Sequence, residues 1–180
     1  MSAVFELCDR WIARYAELDP YAATTWGFRE LEDKLPDYSP EGVAARAEHR
    51  RAGLAGLAGT TIESDHDRLA ADVMRDILEV EEALDEADEW LRPLYVFGSP
   101  VQHLRQAFDL MVLEGEDDWR RAAARMNELP KAVDQLISTL EEGIRRRVMA
   151  APRQALACAE MAANWAGLRP RSSVRSTLTP

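Results

Sequence analysis

The chain has 180 residues, 32 of them acidic and 22 basic, which gives a formal net charge of −10 at neutral pH. Hydrophobic residues make up 47% of the sequence, too many for a wholly disordered protein and enough to form the core of one domain. An acidic chain with two Cys and three His is unsuited to binding nucleic acid or to building a disulfide scaffold, and it offers few zinc ligands.

The hydrophobic period is helical almost throughout, and it predicts an all-α, multi-helix bundle. A first helix is expected from about Ser2 to Leu18. A short second helix follows from Pro20, with Gly27 as its C-terminal cap. Residues 28–38 look irregular. The pair Ser39-Pro40 then predicts an N-cap and first turn of a helix that continues to residue 59.

One long acidic helix is predicted over residues 65–91, with Ser64 as its N-cap. Residues 63–91 contain twelve acids and two Arg, so their net charge of −10 equals that of the whole chain. An acidic run of this kind is typical of a solvated face; contact with a basic partner, or a wall of an electronegative cleft, is the functional alternative. The apolar stripe of this helix is Leu69, Val73, Ile77, Val80, Leu84, Ala87 and Leu91.

The C-terminal half predicts further helices. The pair Ser99-Pro100 starts one, Gly115 separates it from the next, and Pro130 is expected to end or kink that helix before another one follows. Pro152 is expected to begin a last helix, which includes residues 155–166 and is capped by Gly167. We therefore assign residues 1–167 to one helical domain and expect residues 168–180, rich in Arg, Ser, Thr and Pro, to be a disordered tail.

No residue is predicted to be catalytic or to bind a cofactor or metal. Glu63 and His66 have the Glu-x-x-His spacing of di-iron bundles, but such a site needs a second copy, which the sequence lacks. His103 is expected to have a structural role, and His49 is expected on a solvated face. Both cysteines, Cys8 and Cys158, are expected to be buried thiols, and the Trp residues on helical stripes are expected in the core: Trp11, Trp26, Trp90, Trp119 and Trp165.

Two segments near the N-terminus resemble a known family. Residues 19–27, DPYAATTWG, followed by residues 35–39, LPDYS, resemble the patterns DP-x-x-A-T-x-x-G and L-x-D-x-S of the bacterial domain-of-unknown-function 885 family. Further on, residues 125–130, the pair Gly143-Ile144 and Pro152 are similar to its R-L-x-x-x-P, G-I and P stretch, with Met126 in place of Leu. The resemblance extends over roughly residues 1–165.

The resemblance implies a protein related to helical zinc metallopeptidases, whose His-Glu-x-x-His motifs lie well downstream of the matched region. None of the matching positions here holds a zinc ligand or catalytic group. We therefore expect an N-terminal helical domain, truncated before that motif and without catalysis of its own; enzymatic activity and zinc belong to the relatives by resemblance only. Such a piece is expected to expose apolar surface and to self-associate.

An alternative from a different class is a stand-alone acidic module that binds a basic protein. Its contact surface would include Glu81, Glu82, Asp85 and Glu86. In either case we expect a cytoplasmic location and contact with neither nucleic acid nor a membrane, because the sequence has no apolar stretch of about 20 residues and no signal-peptide pattern.

Overall fold

A computed structural model describes residues 2–168, which form seven α-helices and contain no β-strand. The predicted all-α fold is therefore confirmed for this part of the chain. The last twelve residues of the predicted tail, 169–180, lie outside the described residues. Single 3-10 turns occupy residues 29–31 and 89–91. The helices are α1 (Ala3–Leu18), α2 (Pro20–Trp26), α3 (Pro40–Ala58), α4 (Asp65–Glu86), α5 (Pro100–Asp109), α6 (Glu116–Arg146) and α7 (Pro152–Trp165).

The first core lies where α1, α3 and α4 pack together. Its central side chains are Val4, Leu57 and Leu78, with Ala71 and Met74 beside them. These helices approach closely because small residues lie between them. An added Cβ at Gly53 of α3 would lie only 2.7 Å from the indole nitrogen of Trp11 on α1.

The second core joins α5 and α6 to the extended segment before α3. Tyr38 of that segment packs with Leu104, Ala132 and Leu136. The hydroxyl of Thr139 on α6 donates a hydrogen bond of 2.7 Å to the carbonyl oxygen of Tyr38. This bond attaches the extended segment to the middle of the longest helix.

Most predicted helix ends agree with the structure, because the capping chemistry is local. The Ser39 hydroxyl accepts a hydrogen bond from the Gly42 backbone N–H, and the Ser64 hydroxyl accepts one from the Asp67 N–H, at 3.2 and 3.1 Å respectively. Gly27 ends α2 in the left-handed conformation, with φ at 86°.

Two boundaries differ from the prediction. Helix α4 ends at Glu86 rather than near residue 91, because Asp88 adopts the left-handed conformation, with φ at 55°, and begins a separate 3-10 turn. Helix α6 continues past Pro130 as one helix of 31 residues, the longest described. Both Pro130 and Met126, whose carbonyl loses its helical partner, are exposed, so water can solvate that carbonyl.

Candidate functional site

The Glu-x-x-His pair that was weighed as a metal motif lies at a helix start. Glu63 and His66 lie at the start of α4, where the Glu63 backbone N–H donates to the Asp67 carboxylate at 3.1 Å. This is helix-capping geometry. Among residues 2–168, no group of three or more His, Cys, Asp or Glu side chains is placed to hold a metal ion.

The other two histidines pack on aromatic rings. His49 is half-buried and stacks on Trp11, with ring centroids 5.0 Å apart, so the prediction of a solvated face is wrong. His103 stacks on Tyr21 at 4.3 Å. Burial lowers the pKa of His103, which favours the neutral ring, and the Asp19 carboxylate only partly opposes that effect.

The two thiols are placed for packing. Cys158 is buried, as predicted, with its Sγ 3.2 Å from the Tyr95 carbonyl oxygen. Cys8 is only half-buried and lies 3.6 Å from the Met74 sulfur. Burial, aided by the Asp9 charge, raises the pKa of the Cys8 thiol, which disfavours the nucleophilic thiolate.

A buried arginine joins three helices and has no counterpart in the sequence predictions. Arg125 of α6 is fully buried, and its guanidinium donates to the Ala107 carbonyl of α5 and the Thr24 hydroxyl of α2, each at 2.7 Å. Its desolvation lowers the pKa of Arg125, while the Glu32 and Asp33 charges act in the opposite direction. A sequence signal did exist, because Arg125 falls on the buried apolar face of α6 between Ala122 and Leu129.

A second polar cluster holds the start of α6. The Asp118 carboxylate accepts backbone hydrogen bonds from Gly115 and Glu114 at 3.0 and 3.1 Å, and forms ion pairs with Arg29 and Arg121. The Gly115 N–H contributes most to lowering the pKa of Asp118, with both arginines adding to it. This cluster fixes a helix terminus, which is a structural role.

The apolar stripe predicted for the long acidic helix faces solvent instead of the core. The face of α4 that packs inward contains Ala71, Met74 and Leu78. At about 100° per residue, the stripe lies about 130° around the helix from that face. Its members between residues 69 and 84 are between 45% and 63% exposed: Leu69, Val73, Ile77, Val80 and Leu84.

This stripe forms one wall of a groove of about 670 Å³ between α1 and α4. Phe5 and Ile12 of α1 form the opposite wall, and Trp11 and Tyr15 line it between the two helices. Trp26 also lines the groove, with its ring centroid 5.8 Å from that of Tyr15. Burial raises the pKa of Tyr15 to about 12, so its hydroxyl stays neutral at physiological pH. We call this cavity the α1/α4 groove.

The acidic residues of α4 divide into two groups. Asp85 and Glu82 form ion pairs with Arg50 and Arg51 of α3, so part of the run that was expected to be solvated lies against the protein. Asp65, Asp72, Asp76 and Glu79 stay exposed. The pair of Arg50 and Asp85 is largely buried, and it balances the charge beneath the α1/α4 groove.

A second exposed apolar stripe follows α6. By helix geometry its members fall within an arc of about 40°. They are Trp119, Met126, Val133, Ile137 and Ile144, all between 41% and 61% exposed. The prediction that tryptophans lie in the core is thus wrong for Trp119, and for Trp26 and Trp165, which are 48% and 41% exposed.

Comparison of the chain with known proteins identifies its family. The sequence profile of the family described as "Bacterial protein of unknown function (DUF885)" matches residues 20–178. The chain belongs to the DUF885 family. No curated protein matches it. The description of the DUF885 family states no activity, so membership alone gives this chain no substrate.

The segments that suggested the DUF885 resemblance have structural roles in this member. The Asp19 carboxylate caps α2 by accepting hydrogen bonds from the Tyr21 and Ala22 N–H groups, at 3.1 and 3.0 Å. Thr24, from the same segment, meets Arg125, from the R-L-x-x-x-P-like segment. In the described part of this DUF885 chain, no helix is long and apolar enough to cross a membrane.

Proposed function

We propose that this chain is a helical association domain that supplies no catalytic group and packs through the exposed stripes of α4 and α6 against a second helical body. The observation that carries the proposal is the α4 stripe. Its five side chains extend over sixteen residues, with about 22 Å of helix between the first and the last. Monomeric proteins rarely expose contiguous apolar patches of that size without a use for them.

The position of the stripe supports a docking role. The opposite face of α4 is already packed against α1 and α3 around Val4, Leu57 and Leu78. Turning the helix to bury the stripe would expose that core and bring the buried carboxylate of Asp67 into the open. The stripe therefore adds apolar surface beyond what this fold needs for its own stability.

The contacts of the buried polar side chains also support a non-catalytic role. Arg125, Asp118 and Asp67 each satisfy backbone or hydroxyl groups at helix ends and crossings. By the resemblance to zinc metallopeptidase-like relatives, the second body would carry the His-Glu-x-x-His motif and its zinc. The present domain would then form part of the wall of the substrate cleft.

Sedimentation velocity over a range of protein concentrations tests this proposal. Without its second body, the wild-type chain should self-associate through the exposed stripes. The double variant Val73→Gln/Ile77→Gln should sediment closer to a monomer and keep its helical circular dichroism, because both side chains are already exposed.

The matched control is Val96→Gln/Phe97→Gln, which removes two exposed apolar side chains from the connector before α5. This control should associate like the wild type. A wild-type chain that stays monomeric at all concentrations, or a control that changes association as much as the α4 variant does, would contradict the proposal.

A further inference from the structure

We infer that the α1/α4 groove receives a single amphipathic helix whose flanks carry Lys or Arg. This inference rests on the proposed association role and adds the chemistry of the partner. The groove has two helical walls with an apolar floor between them, which is the shape that accepts the apolar face of a third helix. It follows α4 from Leu69 to Ile77, and the exposed stripe continues to Leu84.

The length of the stripe sets the length of the partner. About 22 Å of helix corresponds to four turns, so the partner needs about fifteen residues with apolar side chains at spacings of three and four. Aromatic side chains of the groove, Trp11, Tyr15 and Trp26, offer the broad contact area that is typical of binding hot spots.

The charges around the groove determine which charged residues the partner needs beside its apolar stripe. Asp76 is exposed and lies next to Leu69 and Val80 on the helical wheel of α4. Asp9 is exposed on the solvent side of Phe5 and Ile12 on α1, and Glu81 lines the groove and is itself exposed. Within the described chain the lining includes one arginine, Arg50, and its charge is paired with Asp85.

This distribution distinguishes between occupants. A second copy of α4 would bring one acidic border against another, so self-association through the stripe is weaker than the binding of a basic helix. A phosphate-bearing ligand, including nucleic acid, would meet the same repulsion. A helix with Lys or Arg beside its apolar stripe instead forms ion pairs on both borders while it buries the stripe.

A pair of designed peptides tests the inference. Both have about eighteen residues, lack Trp, and carry Leu at alternating spacings of three and four; one has Lys at its flanks and the other has Glu. Binding is followed by tryptophan fluorescence, since Trp11 and Trp26 line the groove, and is confirmed by calorimetry. The Lys peptide should bind at least tenfold more tightly than the Glu peptide.

Variants then locate the binding. Asp9→Asn/Asp76→Asn/Glu81→Gln should weaken the Lys peptide about tenfold, whereas Glu48→Gln/Asp134→Asn/Glu141→Gln should change it less than twofold. The second set removes the same charge from exposed positions on α3 and α6, which do not form the two walls of the groove. Val73→Gln/Ile77→Gln should abolish binding of both peptides.

The outcomes separate this inference from the proposed function. Equal binding of the two peptides, or equal losses in the two neutralised variants, would overturn the basic partner and leave the apolar docking face standing. If neither peptide binds, the helix-in-groove inference fails. Sedimentation of the wild type and of Val73→Gln/Ile77→Gln then tests the association role separately, because that assay contains no peptide.

Discussion

Replacing the buried Arg125 by Met should destabilise the fold more than any change of an exposed charge. The Met side chain has a similar length and fills most of the same space, but it cannot donate a hydrogen bond. The Ala107 carbonyl and the Thr24 hydroxyl, each now 2.7 Å from a guanidinium nitrogen, would lose their buried partner. The contact between α2, α5 and α6 would weaken as a result.

The magnitude follows from those two bonds. A hydrogen bond from a charged donor contributes about 1.5–3 kcal/mol, so two of them give about 3–6 kcal/mol. Removal of the buried charge relieves a desolvation cost, which the lowered pKa of Arg125 reports and which offsets part of the loss. We expect Arg125→Met to lower the free energy of unfolding by about 2–4 kcal/mol, and Thr24→Val to lower it by about 1–2 kcal/mol.

Urea denaturation followed by circular dichroism at low protein concentration measures both changes. The control is Arg120→Met on the same helix, where the side chain is exposed and pairs only with Glu116 and Asp117; its effect should stay below about 1 kcal/mol. The double variant Thr24→Val/Arg125→Met should cost less than the sum of the single changes, because both remove the same bond. Equal effects of Arg125→Met and Arg120→Met would refute the reasoning.

Two more changes test other parts of the fold. Gly143→Ala should lower the free energy of unfolding by about 2–3 kcal/mol, because its Cβ would lie 2.6 Å from the carbonyl oxygens of Leu91 and Val148; urea midpoints measure this. His103→Phe should flatten the pH dependence of stability below pH about 6.5. The lowered pKa of His103 means that the unfolded chain takes up a proton first, so wild-type stability falls as the pH drops through this range.

Each of these changes has an internal comparison. Gly56→Ala meets only the flexible end of Leu7, at 3.0 Å, and should be neutral or slightly stabilising because Ala favours helix over Gly. If Gly143→Ala and Gly56→Ala change the urea midpoint equally, the close approach of the Leu91 and Val148 carbonyl oxygens to Gly143 is refuted. For His103, wild type and variant should have parallel stability curves above pH about 7.5, where the imidazole is neutral in both states; parallel curves at pH 5–6.5 as well would contradict its burial as a neutral ring.

Features encoded by a few neighbouring residues could be predicted from the sequence. The starts at Ser39 and Ser64 and the end at Gly27 depend on side chains and backbone within one turn, and all three agree with the structure. The two helix boundaries that differ from the prediction also depend on single residues. Asp88 takes a left-handed conformation that non-glycine residues seldom adopt, and Pro130 is tolerated because it lies on an exposed side of α6.

Features that depend on distant parts of the chain could not be predicted. Thr24 and Arg125 are 101 residues apart in sequence; the position of Arg125 on the apolar face of α6 indicates its burial, but nothing in the sequence indicates that Thr24 is its hydrogen-bond partner. Periodicity indicates that a residue lies on an apolar face, but it does not state which partner covers that face. For that reason the predicted core positions of Trp119 and Trp165, which are exposed, are wrong.

Helix α4 shows the same limit of hydrophobic periodicity, because its sequence does not reveal which of its apolar faces is buried. Its sequence carries two apolar faces, and the stripe from Leu69 to Leu84 has five aliphatic side chains against three on the other face, so hydrophobicity alone selects it as the buried one. The fold selects the other face, with Ala71, Met74 and Leu78, which packs against α1 and α3 where Gly53 allows these helices to approach closely. A helix that keeps five apolar side chains outside has more apolar surface than its own core uses. That surplus, together with the acids beside it, is the reason to expect a basic helix in the α1/α4 groove.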